Sequence, residues 1–227
     1  MSPRKEVIGN CELWLGDCRE ILPSLEGLFD LVCDPPYGLG DLWQGGAKKW
    51  PLAAGGAAPK IWDMEPSEGL LPAIKVAREA IVWGGNYYPL PPKRGWLIWD
   101  KIVRSFSSGH VEMAWTTLDQ PTRAFNYANG ELASEGKVHP TQKPLPLMIW
   151  CIQHLADDGA TILDPFMGSG TTGVAATKLG RTFLGIEREP KYFDISCRRI
   201  EEATKQGDLF VEQPRPKAEQ LSLLVTP

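Results

Sequence analysis

The sequence predicts an α/β fold, a mostly parallel sheet covered by helices, and three observations carry that reading. Short apolar runs alternate with stretches of helical periodicity along most of the chain, the pattern of successive βαβ units. In "TILDPFMGSGTTGVAATKLGRTFLGIE", residues 161–187, an apolar strand ends in an acid, a glycine-rich turn and a helix follow, and a second strand ends in another acid. Two further apolar runs, 96–100 and 111–116, lie too close together for a helix between them, so they are expected to form an antiparallel hairpin at one edge of the sheet.

Taken in order, strands are expected at 12–16 "ELWLG", 30–33 "DLVC", 80–84 "AIVWG", 96–100 "WLIWD", 111–116 "VEMAWT", 161–164 "TILD" and 182–186 "TFLGI". Helices fall near 67–79, 144–156, 171–179 and 190–204. With 227 residues, 43% of them hydrophobic, the chain can build one sizeable core, and residues 1–206 read as a single domain. Residues 39–62, rich in glycine and holding two prolines, read as a mobile surface loop, and 118–138 as a short insert. From Gly207 to Pro227 helical periodicity is lost, and "QPRPK" reads as an extended tail.

Five cysteines at 11, 18, 33, 151 and 197 form no CxxC pair, and the odd count gives no disulfide framework, which points to a reducing cytoplasm. The start, "MSPRKEVIGN", lacks the apolar core of a signal peptide, and no apolar run approaches the roughly 18–20 residues of a membrane span. His110, His139 and His154 lack metal-ligand spacing. A net charge of −4 argues against a protein that coats nucleic acid by charge alone. Local basic clusters remain, at Lys48 and Lys49 in the glycine-rich loop and across Lys93, Arg94, Lys101 and Arg104.

Two motifs carry chemistry. "DLVCDPPYGLG", residues 30–40, places an acid, two prolines and an aromatic ring directly after a buried strand. The prolines fix two φ angles and remove two backbone donors, so Asp34, the Pro35 carbonyl and the Tyr37 ring are held in one arrangement suited to something flat and polar. Taken alone the motif is equally a proline-stiffened turn. In the second motif Glu187 lies 23 residues beyond Asp164, close to the spacing at which a nucleoside-binding α/β unit places the acid for ribose hydroxyls. The loop is GSG preceded by an acid rather than GxGxxG, which disfavours a pyrophosphate and a nicotinamide dinucleotide and suits the amino end of a phosphate-free cofactor.

"DPPYG" together with "DPFMGSGTT" resembles the S-adenosylmethionine-dependent DNA methyltransferases that modify the exocyclic amino group of adenine or cytosine, with the catalytic motif first, the permuted order of their beta group. "GDC" at 16–18, "VWGGNYY" at 82–88, "WLIWDK" at 96–101 and "HPTQKP" at 139–144 also look like members of that family, so that the resemblance covers roughly residues 10–205. It implies a Rossmann-like methyltransferase fold: a seven-stranded, mostly parallel sheet with one antiparallel edge strand and helices on both faces.

The resemblance also assigns roles. Asp34 and the Pro35 carbonyl would accept hydrogens from a base amino group, whose lone pair could then attack the sulfonium methyl directly. Pro36 would keep the motif rigid, and Tyr37 would stack on a base rotated out of duplex DNA. Glu187 would bind the cofactor's ribose hydroxyls and Asp17 its adenine amino group. Asp164, Phe166 and the loop Gly168, Ser169, Gly170, Thr171 and Thr172 would surround its methionine portion, joined by Thr141, Gln142 and Lys143, with Lys143 facing the carboxylate. Lys48, Lys49, Arg104 and Arg123 are candidate DNA contacts. An aspartate leading "DPPY" leans to adenine, with cytosine-N4 the alternative; RNA, a protein glutamine and a non-catalytic cofactor-binding module are the others. A homodimer is implied by the resemblance alone. In the tail, "QGDLF" at 206–210 and "QLSLL" at 220–224 resemble the short peptide that docks bacterial proteins on the polymerase sliding clamp, which makes the clamp a candidate partner.

Overall fold

The computed structural model describes residues 4–38, 66–102, 109–128, 142–156 and 159–206. In chain order the elements are β1 (Arg4–Ile8), β2 (Cys11–Leu15), α1 (Cys18–Ile21) with a 3-10 turn at Leu22–Ser24, β3 (Phe29–Cys33), α2 (Leu70–Val76), β4 (Ala77–Trp83), β5 (Trp96–Asp100), β6 (Val111–Thr116), β7 (Arg123–Asn126), α3 (Leu145–Gln153), β8 (Thr161–Asp164), α4 (Thr171–Lys178), β9 (Phe183–Glu187) and α5 (Pro190–Lys205). The loop residues 39–62, residues 129–138 of the 118–138 insert and the tail 207–227 lie outside the described residues, as do Lys48, Lys49, Arg104 and Thr141. No helix among the described residues is long and apolar enough to cross a membrane.

The strands form one α/β sheet in the order β1-β2-β9-β8-β3-β4-β6-β5-β7. The five strands β2, β9, β8, β3 and β4 run parallel, as their separation by helices requires. The fold is Rossmann-like, with nine strands among the described residues where seven are expected. The first extra strand is β1, joined to β2 by the two residues Gly9 and Asn10, with Ile8 opposite Cys11 and a positive φ of 55° at Gly9. This is a tight hairpin, and it supplies an antiparallel edge strand. The second extra strand is β7, which pairs parallel to β5 and occupies the other edge. The expected antiparallel pairing of 96–100 with 111–116 is present, Asp100 opposite Val111, but it is not at the edge: β6 inserts between β4 and β5, antiparallel to both. The helix expected at 67–79 ends at Val76. Residues from Ala77 onward extend β4 instead, because they pair with β3 and carry Arg78 to the buried carboxylate of Asp30.

Side chains alternate between two cores, as the two-residue period of a strand demands. Leu13, Val32, Ile81, Ile162 and Phe183 face α3, α4 and α5, whose Leu147, Met148, Ala175, Phe193 and Ile200 complete one core. Leu31, Cys33, Val82, Leu163 and Ile186 face α1 and α2 through Ile21, Leu22, Leu70 and Ala73. Helices therefore cover both faces, and every residue of β3 is buried. Such a strand offers functional groups only at its ends.

Candidate active site

Because β2, β9, β8, β3 and β4 are parallel, whatever follows each of them arrives at the same side of the sheet, where ligands of open α/β sheets bind. Gly16 and Asp17 follow β2, Glu187 ends β9, Asp164 ends β8, Asp34 follows β3 and Gly84 follows β4. The antiparallel β6 begins at this side with Val111 and Glu112, and Lys101 leaves β5 there as well.

A cavity of about 350 Å³ opens at this side, within the roughly 300–1,000 Å³ of small-molecule sites. Asp34 and Pro36 line it together with Asp17, Gln142 and Lys143. Asp164, Phe166, Gly168, Ser169, Thr171, Thr172 and Glu187 form the rest of the expected set along its wall. Pro35, Tyr37 and Gly170 are adjacent to the wall without lining it. Arg123 is exposed on the edge strand β7, away from the cavity, and its charge bears on His154 instead; burial and that charge push the His154 imidazole down. Sequence reasoning missed the wall residues Arg19, Ser67, Glu68, Met148 and Tyr192, which lie outside the glycine and proline motifs.

The glycine loop is held from several directions. Gly170 has a φ of 80°, and a Cβ there would lie 2.7 Å from the Cβ of Ser196 on α5, so the turn into α4 requires glycine. Arg199, also on α5, donates from Nη1 to the Ser169 carbonyl at 2.6 Å, to Ser169 Oγ at 3.0 Å and to Thr171 Oγ1 at 3.2 Å. Its place in the third turn of an amphipathic helix gave no sequence signal. Asp164 accepts the Phe166 amide at 3.0 Å and the Thr172 hydroxyl at 2.6 Å. Burial pushes its carboxyl up to about 7, and those two donors only partly offset this.

Glu187 Oε2 accepts the Gly168 amide at 2.9 Å and Oε1 the Glu189 amide at 2.8 Å. Each oxygen keeps lone-pair capacity toward the cavity, which fits a pair of ribose hydroxyls. Burial raises its pKa, and these amides counter the rise. Asp17 serves first as the N-cap of α1, accepting the Arg19 amide at 2.9 Å, and Arg19 also clamps it with Nη2 2.6 Å from Oδ2. That guanidinium holds the Asp17 carboxyl below its usual range. An adenine amino group at Asp17 would share the carboxylate with Arg19.

The "DPPY" segment is fixed by neighbours from "VWGGNYY". Tyr88 donates its hydroxyl to the Pro36 carbonyl and accepts the Ser67 amide at 3.1 Å. Tyr87 stacks on Tyr37, ring centroids 5.0 Å apart at 23°. Gly84, with a φ of 67°, leaves room for the Tyr37 ring, since a Cβ there would sit 2.0 Å from a ring carbon. The Tyr37 hydroxyl donates to Asp34 Oδ1.

Lys143 lines the cavity with carboxylates of the chain beside it. Its ammonium, expected to face a cofactor carboxylate, is 2.6 Å from Asp34 Oδ2 and 3.1 Å from Glu112 Oε2. It also stands 5.7 Å from the centre of the Tyr37 ring. The reason is local: Pro144 opens α3 with an extended backbone, so Lys143 precedes the helix and reaches back toward β3. Burial alone would lower its pKa, but the two carboxylates outweigh it and hold the ammonium well above the usual lysine range. Burial pushes Asp34 up, and Lys143 pulls it back. Glu112 went unread in the sequence because a lone acid in "VEMAW" looks like the solvent side of a strand.

An α/β sheet that gathers acids, a glycine loop and a rigid "DPPY" corner around one cavity defines a nucleoside-cofactor enzyme fold. Comparison with known proteins narrows the class. The profile of the N6/N4 DNA methylase family matches residues 41–198, more than half of the chain, and the protein belongs to that family. Among curated relatives, the type II methyltransferase M2.DpnII of Streptococcus pneumoniae is 52% identical over 63 residues, 28% of this chain and 24% of that protein. The type II methyltransferase M.HinfI of Haemophilus influenzae is 47% identical over 66 residues, 29% of this chain and 18% of that protein. The chain thus spans about a quarter or less of the curated relatives it matches. Solved structures share its fold: an M1.HpyAVI–SAM complex (TM-score 0.53, 21% identity, 83% of this chain and 99% of that one). The second is the cytosine-N4-specific PvuII DNA methyltransferase (TM-score 0.56, 17% identity, 88% and 92%).

Proposed function

We propose that this protein transfers a methyl group from S-adenosylmethionine to the exocyclic amino group of adenine in duplex DNA. The observation that carries the reading is the shared cavity: Asp34 and Pro36 border the same 350 Å³ space as Asp164, Gly168 and Glu187, so an amino acceptor and a cofactor would meet there. Membership of the DNA methylase family supports it.

Bound S-adenosylmethionine supplies an electrophilic methyl on a sulfonium. Glu187 would hold its ribose hydroxyls, and Phe166 with the Gly168–Thr172 loop would border its methionine portion. Asp34 Oδ1 and the Pro35 carbonyl accept the amino hydrogens of the extruded base, which draws the nitrogen lone pair out of conjugation with the ring. Since Oδ1 accepts the Tyr37 hydroxyl at rest, base entry exchanges one donor for another, and the Tyr37 ring would stack on the base. Adenine is preferred over cytosine on the aspartate that leads "DPPY".

The test is transfer of labelled methyl from S-adenosylmethionine to unmethylated duplex DNA, wild type against Asp34→Ala, followed by nucleoside digestion and mass spectrometry. N6-methyladenine present with wild type and absent with the variant supports the reading. N4-methylcytosine would reassign the base, and label appearing only on RNA or on a protein glutamine would reject DNA as substrate.

A further inference from the structure

Glu112 lies in none of the motifs that define the site, yet it sits at the centre of a row of four alternating charges. Asp34 Oδ2 meets Lys143 Nζ at 2.6 Å, Lys143 meets Glu112 Oε2 at 3.1 Å, and Glu112 Oε1 meets Lys101 Nζ at 2.7 Å. Both lysine side chains are nearly closed off from solvent, 7% and 5% exposed. Charges so placed are retained only when each keeps a counter-charge, because an uncompensated buried ion is costly. Two ammonium groups on one carboxylate exceed what the orientation of Asp34 alone would need.

The reaction proposed above gives the row a use. As the new N–C bond forms, the S–C bond breaks and its electron pair stays on sulfur. The amino nitrogen then carries one proton too many. Asp34 takes that proton, and the N–H electron pair returns to nitrogen as its lone pair. Asp34 thereby becomes neutral, and the Lys143 ammonium beside it loses half of its compensation.

We propose, resting on the methyl-transfer reading, that Glu112 is a positioning residue: it shares the Lys143 ammonium with Asp34, so that Lys143 stays balanced when Asp34 accepts the proton released by the methylated amino group. Glu112 acts through Lys143 and touches no reacting atom. It suits the part, since burial would raise its pKa but Lys143 and Lys101 hold it down at about 2, and it stays ionised throughout. Sharing also leaves Asp34 a better proton acceptor than an exclusive pair with Lys143 would, because an acceptor weakens as its pKa falls.

Among the described residues, the following titratable groups face this row. Asp34 faces Lys143 ahead of α3, Glu112 on β6 and the Tyr37 hydroxyl, with Cys33 beside it and Asp164 at the end of β8 further off. Lys143 faces Asp34, Glu112 and Tyr37, with Cys151 of α3 nearby. Removing the negative charge of Glu112 therefore lowers the pKa of Asp34: a like charge disappears and Lys143 turns wholly to Asp34. Removing the positive charge of Lys101 raises it.

The experiment is a carbon-13 NMR titration of the aspartate side-chain carboxyls in the full chain, with Asp34 assigned by D34N. In E112Q the Asp34 midpoint falls by about one pH unit, in E112D it stays at the wild-type value, and in K101M it rises. In single-turnover methyl transfer, the acid limb of the E112Q pH profile moves the same way and the plateau rate falls about tenfold, while the cofactor KM is unchanged. A wild-type Asp34 midpoint in folded E112Q overturns the role of Glu112 whatever the activity. Where E112Q does not fold, an Asp34 midpoint that fails to rise in K101M overturns it. An absence of transfer by the wild type, with the midpoints displaced as described, overturns the methyl-transfer reading instead.

Discussion

Two aspartates mark the two ends of β3, and the same chemical group is treated in opposite ways. Asp30, near the start of the strand, is fully buried and gripped by Arg78, Nε at 3.0 Å from Oδ1 and Nη2 at 2.7 Å from Oδ2, with Arg181 3.9 Å away. Asp34, just past the other end, meets one ammonium among the described residues, which it shares with Glu112, and a hydroxyl that can turn away. Fork-to-fork pairing with a guanidinium fixes a carboxylate in one geometry. An ammonium on a flexible stem leaves it able to change partners. A partly buried acid that must work is thus held loosely by groups that have other partners, and a fully buried one that must only hold the fold is saturated.

Substitutions test that contrast. The largest expected effect is at Asp34: D34A lowers methyl transfer by about 10³-fold, because the principal acceptor for the amino group is lost. Urea unfolding of the same variant stays near the wild type, since Lys143 keeps Glu112 as its counter-charge. Marked destabilisation of D34A would break the distinction. D30A is expected to do the reverse. It removes the carboxylate toward which two guanidinium groups converge, and destabilises the fold by about 3 kcal/mol in urea unfolding, discounted because Arg78 is partly exposed.

Gly84→Ala sharpens the comparison without touching a charge. A Cβ 2.0 Å from the Tyr37 ring, at a φ of 67°, must displace that ring and the hydroxyl on Asp34. Transfer is expected to fall about 10²-fold with cofactor binding retained, as a misplacement of about 1 Å would give. The smallest effect concerns Asp164, the buried acid that relies on the Phe166 amide and Thr172 hydroxyl. Its pKa rises on folding from 3.8 to about 7 through burial, so the folded chain favours its protonated form. The stability tied to that proton is fully present below about pH 4 and is lost as pH rises through about 7. D164N removes this dependence, and its melting temperature should gain on the wild type between pH 5 and pH 8; parallel curves would refute the assignment.

Much of the fold was legible because it rests on local pattern. Apolar runs that alternate with helical periodicity located β2, β3, β5, β6, β8 and β9 to within a residue or two, and Pro190 and Gly170 fixed helix starts through their own backbone preferences. The β1–β2 hairpin was readable as well, from Gly9-Asn10 between two strand-like runs, and went unread. The start of β4 was not, because Ala77, Arg78 and Glu79 prolong a helical pattern and become a strand only by pairing with β3 and reaching Asp30. Short β7, with mostly exposed side chains, carries no periodic signal at all.

The site divides along the same line. By itself the sequence determined which residues would lie near one another after parallel strands: Asp34, Asp164 and Glu187 each follow or end such a strand, so the period and direction of the strands suffice to gather them. Tertiary structure alone decided the partners. Lys143 turned to Asp34 and Glu112, Arg199 reached the glycine loop from α5, and Glu112 arrived because β6 runs antiparallel between β4 and β5. Electrostatic pairing acts through space between groups distant in sequence, and no local pattern encodes which ammonium a buried carboxylate will find.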